Sequence, residues 1–167
     1  MTHSEIAFDC IAAGIGQIPP GPFAVGGPVN GARTEFIWSP ADWAKFGQAY
    51  HIRYNTTGAL HTGNAIDVEN GDATPANIEP WIVSCRSSLD PLLVYCNRSN
   101  LDACVAARDA AHKASGRYAF IWCATLDGTI TSRAMNQFGQ IAGGAVDVSL
   151  ITDTRLIAAM AARAGDQ

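Results

Sequence analysis

The densest group of residues able to do chemistry lies in Asn64-Ala65-Ile66-Asp67-Val68-Glu69-Asn70-Gly71. In an extended strand alternate side chains face opposite ways, so Asp67 and Glu69 fall on one face while Ile66 and Val68 face the opposite layer. Two carboxyl groups held this close oppose each other's ionisation, so one keeps its proton at a pH where its neighbour is an anion. A proton donor beside an anion is what hydrolysis of a glycosidic bond requires. The same triplet also occurs at solvated strand edges, so its meaning depends on what else reaches the same place. Asp9 closes the first apolar run, and Asp147 closes the last, inside Gly144-Ala145-Val146-Asp147-Val148-Ser149. In a closed barrel the first and last strands are neighbours, which would bring both acids to the mouth that holds Asp67 and Glu69. Taken singly, each reads as a helix cap or loop acid.

Aromatic side chains at or near the expected strand ends are Tyr54, Tyr95, Trp122 and Phe138. Their faces suit stacking on pyranose rings, although Trp122 and Phe138 fit a core role equally well. Trp38, Trp43 and Trp81 read as anchors for helix packing. His3, His51, His61 and His112 show no metal-ligand spacing, so neither a metal nor another cofactor is expected. The pairs Gly26-Gly27 and Gly143-Gly144 lack the strand, GxGxxG, helix context of a phosphate cradle.

The elements that must position these residues follow from short apolar runs separated by polar, Gly-rich or helical spacers, the rhythm of β/α units. Strands are expected at residues 6–9, 23–26, 50–54, 65–69, 92–96, 118–123, 134–138 and 145–148. Eight strands close a β/α barrel, and such barrels build their sites at the strand C-termini. Helices are expected at 74–87, with Pro at the first helical position, and at 99–115, with a capping-box-like Ser99 to Asp102 start and a stop at Gly116. A third covers 152–164, with Leu156, Ile157, Met160 and Ala161 on one stripe and its end before Gly165. A short helical turn starts at Ser39-Pro40. The Gly- and Pro-rich stretch 14–31 reads as a long loop, so the first crossover lacks a full helix. The fold class is α/β: a reduced or irregular (β/α)8 TIM-like barrel, one domain over residues 1–167.

Composition removes several functions. A chain with 48% hydrophobic and 16% charged residues and a net charge of -4 has no basic stripe for nucleic acid or an anionic membrane. Its apolar runs fall short of the roughly 20 residues of a membrane helix. The segment from Met1 to Glu5 lacks the features of a secretory signal, so the chain is expected to be made in the cytoplasm. Cys10, Cys85, Cys96, Cys104 and Cys123 form no CxxC pair and read as buried, reduced thiols.

On these residues the chain resembles the family 25 glycoside hydrolases, the lysozyme-like muramidases. It is most similar to the shortened domains of that kind in actinobacterial proteins and phage virion proteins. The likeness is carried by Ala7-Phe8-Asp9, Ile66-Asp67-Val68-Glu69, Leu93-Val94-Tyr95-Cys96-Asn97, Phe120-Ile121-Trp122-Cys123-Ala124, Asn136-Gln137-Phe138 and Val146-Asp147-Val148-Ser149. The resemblance implies that Glu69 is the general acid, that Asp67 positions the substrate's acetamido group, and that Asp9 and Asp147 are flanking aspartates. The family has an aromatic residue after the tryptophan strand and a tyrosine after the glutamine, where this chain has Thr125 or Leu126 and Phe138. Two functions follow from the resemblance. One is a muramidase-type hydrolase acting on bacterial cell-wall glycan; the other is a non-catalytic virion protein, such as a minor tail subunit, that keeps the barrel as a scaffold or glycan-binding module among other virion proteins.

Overall fold

The computed structural model describes residues 3–164. The expected helix stop at Gly165, and the first two residues of the Met1 to Glu5 segment, lie outside the described residues. Eight strands form one closed barrel in sequence order: β1 (Glu5–Asp9), β2 (Ala24–Pro28), β3 (Tyr50–Asn55), β4 (Ala65–Val68), β5 (Leu92–Asn97), β6 (Ala119–Ala124), β7 (Met135–Ile141) and β8 (Val146–Ile151). Each overlaps an expected strand.

The expected β/α alternation holds only in part. Neighbouring strands from β1 to β7 pair in parallel, but β8 runs antiparallel to both β7 and β1. Its reversal has a local cause. Only a tight turn separates β7 from β8, with Ala142, Gly143 and Gly144 all at positive φ, and a connection that short can join only antiparallel strands. Gly143-Gly144 is therefore a hairpin turn. No helix lies between β3 and β4 or between β6 and β7.

The helices that do form are α1 (Pro40–Ala44), α2 (Pro75–Ser84), α3 (Leu101–Ser115) and α4 (Thr154–Ala161). Capping boxes start α1, from Ser39 and Asp42, and α2, from Thr74 and Asn77. The start of α3 differs from the expectation at Ser99. The Asn97 side chain accepts the Asn100 N–H across a 3-10 turn at Arg98–Asn100, and the regular helix begins at Leu101. Gly116, at φ 73, stops it. Part of the expected loop 14–31 is ordered as a 3-10 helix at Ala12–Gln17 and as β2.

The core has an inner and an outer part. Inside the barrel Ala7, Tyr50, Ile52, Leu93, Trp122 and Met135 pack together, and Leu156, Ile157 and Met160 of α4 plug the end away from the mouth. Outside it, Ile66, Val68, Val94 and Ile121 pack against Ile78, Trp81 and Ile82 of α2 and Cys104 and Ala111 of α3. Trp81 is fully buried and its Nε1 donates to the Thr62 carbonyl at 2.9 Å, whereas Leu101 is only partly buried. A third cluster joins Trp38 and Trp43 to Cys10, Ile15 and Val25. All five cysteines are buried free thiols. Among the described residues no helix is long and apolar enough to cross a membrane.

Candidate functional site

At the mouth of the barrel a cleft of ≈ 560 Å³ is lined by Asp9, Asp67, Glu69 and Asp147 together with Tyr54, Tyr95 and Trp122. Each acid arrives by a different local device. Asp9 ends β1, and its inward position depends on Gly26 beside it on β2: a Cβ there would stand 2.7 Å from the Asp9 Cβ. Asp67 is on β4, level with Tyr95 of β5 and, through it, with Trp122 of β6. Glu69 lies just past the end of β4. Asp147 is the second residue of β8 and not its last as the sequence suggested; it reaches the mouth because β8 runs backwards, which sets it opposite Asp9.

A hydrogen-bonded belt fixes the wall formed by β5 to β8. The Tyr95 hydroxyl donates to Gln137 Oε1 at 2.7 Å, and Gln140 Nε2 donates to Asp147 Oδ1 at 2.7 Å. The Trp122 ring meets Tyr95 edge-on with centroids 4.6 Å apart, and its Nε1 donates to Ser149 Oγ at 3.0 Å. Phe138, expected here as a stacking platform, is not among the residues lining the cleft. Side chains alternate along β7, and Gln137 takes the inward place immediately before a bulge that shifts the pairing with β8.

Burial governs the electrostatics. Asp9, only 6% exposed, is raised well above the ordinary aspartate range, first by burial and then by the charges of Asp147, Asp67 and Glu69. Asp67 is likewise raised, by burial and then by Glu69 and Asp72. One oxygen of each, Oδ1, is buried without a hydrogen-bond partner. Glu69 is raised first by burial; the nearby Tyr95 hydroxyl works the other way, and Asp72 and Asp147 add to the rise. The anticipated repulsion between Asp67 and Glu69 is present and falls on Asp67, the more buried of the two. Asp147 is raised by burial and held back by hydrogen bonds from Gln140 and Gln137.

The comparisons with known proteins add nothing to this geometry. No family model, no curated protein and no solved structure matches the chain.

Several cleft residues escaped the sequence. Asp72 lines the cleft as a fifth acid, because the chain turns back after Glu69, with the Asp72 N–H donating to the Glu69 carbonyl and Gly71 at φ 95. The facing wall comes from the loops after β2 and β3 and includes Asn30, Arg33, Phe36, Thr56 and Thr57. The one available signal was Asn55, a polar residue ending a strand as Asp9 does. Its Oδ1 accepts from Asn30 Nδ2 at 2.8 Å and ties the two loops together.

Among the described residues no three His, Cys, Asp or Glu side chains are grouped to hold a metal ion. Chemically, the cleft offers carboxyl groups that keep protons to a higher pH than usual, beside aromatic faces and amide hydrogen bonds. That combination can donate a proton to an oxygen of a bound polar ligand.

Proposed function

We propose that the chain is a glycoside-hydrolase-like domain of muramidase type, acting on or binding the glycan of bacterial cell walls. One observation carries this: Asp9, Asp67, Glu69 and Asp147, from three separated parts of the sequence, meet in a single cleft beside Tyr95 and Trp122. The architecture is read accordingly as an irregular β/α barrel that has lost helices and reversed its last strand.

In this reading Glu69 is the general acid. Half-buried at the cleft wall, it keeps its proton until a glycosidic oxygen is seated, then passes it to the departing sugar oxygen as the bond to the anomeric carbon breaks; a solvent water adds its oxygen to that carbon and its released proton restores Glu69. Asp67, level with Tyr95 on the neighbouring strand, holds the substituent next to that carbon, and Asp9 and Asp147 bound the opposite side. The faces of Tyr54 and Tyr95 supply apolar contact for sugar rings, while Trp122, only 1% exposed, is a core residue that backs Tyr95.

A non-catalytic role has its own support. Acid–base pairs in hydrolases are usually pushed apart in pKa, one up and one held down. Here all five cleft acids move upward. A cleft of that kind can grip a glycan without cutting it, as a virion scaffold or glycan-binding module would.

Incubating the pure protein with purified cell wall and following release of reducing ends separates the two. Release abolished by Glu69→Gln supports the hydrolase; binding without release at any pH from about 4 to 8 supports the module.

A further inference from the structure

We propose that Arg33 forms a subsite for a carboxylate carried by the bound glycan, an inference that rests on the cleft being a glycan site. Five carboxyl groups line this cleft, and Arg33 is the single cationic side chain among the described residues that line it. It stands on the loop after β2, at the start of the 3-10 turn Thr34–Phe36, with its guanidinium 5.1 Å from the centre of the Phe36 ring.

Two features make this arginine a receptor and not an internal counter-ion. First, the ion pairs of the described residues engage other side chains, so no acid of the cleft neutralises Arg33. Its guanidinium rests against an aromatic ring, and the planar fork of N–H donors that remains matches the two oxygens of a carboxylate. Second, the loop that carries it is tied down. Asn30 Nδ2 donates to Asn55 Oδ1 at 2.8 Å and to Thr57 Oγ1 at 2.9 Å, while Asn30 Oδ1 accepts the Thr56 N–H at 2.9 Å. The loop that carries the cation is therefore fixed at the β2 side of the cleft.

The consequence is polarity. An anionic substituent is repelled wherever the acids are ionised and attracted only at Arg33, so a glycan with such branches seats in one direction. A neutral glycan of the same backbone has no such preference. In cell-wall glycan a carboxylate comes from two sources, the lactyl ether on alternate sugars or the stem peptide attached through it, and both present the same chemistry to Arg33.

Affinities measured by calorimetry in a Glu69→Gln background, which prevents turnover, test the subsite. Three ligands are compared: a neutral β-1,4-linked N-acetylglucosamine oligomer, peptide-free wall strands with lactyl carboxylates, and the same strands bearing stem peptides. Arg33→Met should weaken one or both anionic ligands about tenfold and leave the neutral oligomer within about twofold, with Arg33→Lys intermediate. Added salt should erode the anionic preference of the Arg33 protein. A loss confined to peptide-free strands assigns the lactyl carboxylate, and one confined to peptide-bearing strands assigns the stem peptide. Neutral and anionic ligands weakened equally, or no weakening at all, would overturn the subsite while leaving the glycan cleft intact. Failure of all three ligands to bind the Glu69→Gln protein would overturn the cleft reading and the subsite with it.

Discussion

Asp9 and Asp147 stand directly opposite each other across the antiparallel seam where β8 closes onto β1. Burial raises both carboxyl groups, and Asp147 adds to the rise at Asp9. An acid whose folded pKa lies above its unfolded value of about 3.9 binds more protons in the folded state between those two pH values. Stability then falls as pH rises through that window and levels off above the folded pKa. The protein should therefore melt higher at mildly acidic than at neutral pH, and Asp9→Asn should flatten that slope. Thermal melts taken between about pH 4.5 and 8 read both effects, and a parent whose melting temperature climbs with pH contradicts the burial of these acids in ionisable form.

Gly26 makes room for the Asp9 side chain. The methyl of Gly26→Ala would lie 2.7 Å from the Asp9 Cβ and 3.5 Å from Tyr54 Cε1, so the acid or the strand must shift. Overpacking of this sort costs about 1–3 kcal/mol. Gly26→Ala should lower the melting temperature and also weaken glycan binding. A substitution without effect on either would place Asp9 elsewhere.

The Tyr95 hydroxyl bears on Glu69 in a direction that can be measured. Within reach of Glu69 as well as of Gln137 Oε1, it lowers the Glu69 pKa against the rise caused by burial. Removing it in Tyr95→Phe should raise the Glu69 pKa further, and carboxyl NMR titration would show the midpoint moving to higher pH. In the hydrolytic reading, the alkaline limb of the activity profile moves the same way, because the acid form persists longer.

Scaffold residues should behave differently from cleft residues. Trp81 is fully buried and hydrogen-bonded to the loop before β4, so Trp81→Ala should cost about 3–5 kcal/mol in chemical denaturation. Leu101 is only partly buried at the edge of the same cluster, and Leu101→Ala should cost less than about 2 kcal/mol.

How far the sequence reaches into this site depends on the kind of signal each residue leaves. Strand positions were legible because short apolar runs record burial, and the Asp67–Glu69 alternation was legible because strands have a period of two. The direction of β8 was not, since an apolar run looks the same read either way and the reversal resides in the positive φ angles of residues 142–144. Phe138 was misplaced by one residue of phase, with Gln137 taking the inward position. Asp72 and Arg33 left no periodic trace because loops position them, and the contacts that fix those loops are made over long sequence distances, as between Asn30 and Asn55.

Asp67→Asn and Glu69→Gln separate a site from a structural hydrogen-bond network. Asp67 Oδ1 is buried without a partner, and each of the two acids sits among like charges that raise its pKa. Replacing a carboxyl by its amide keeps the shape and removes the cost of burying charge at neutral pH. Both variants should therefore melt at the same temperature as the parent or higher, the usual behaviour where a site holds charge that the fold does not need. Activity should respond oppositely, with Glu69→Gln abolishing release of reducing ends and retaining glycan binding. The two measurements bear on different claims. If both amide variants melt markedly lower than the parent, these acids are partners in a hydrogen-bond network that stabilises the barrel mouth, and the scaffold role replaces the general-acid role of Glu69.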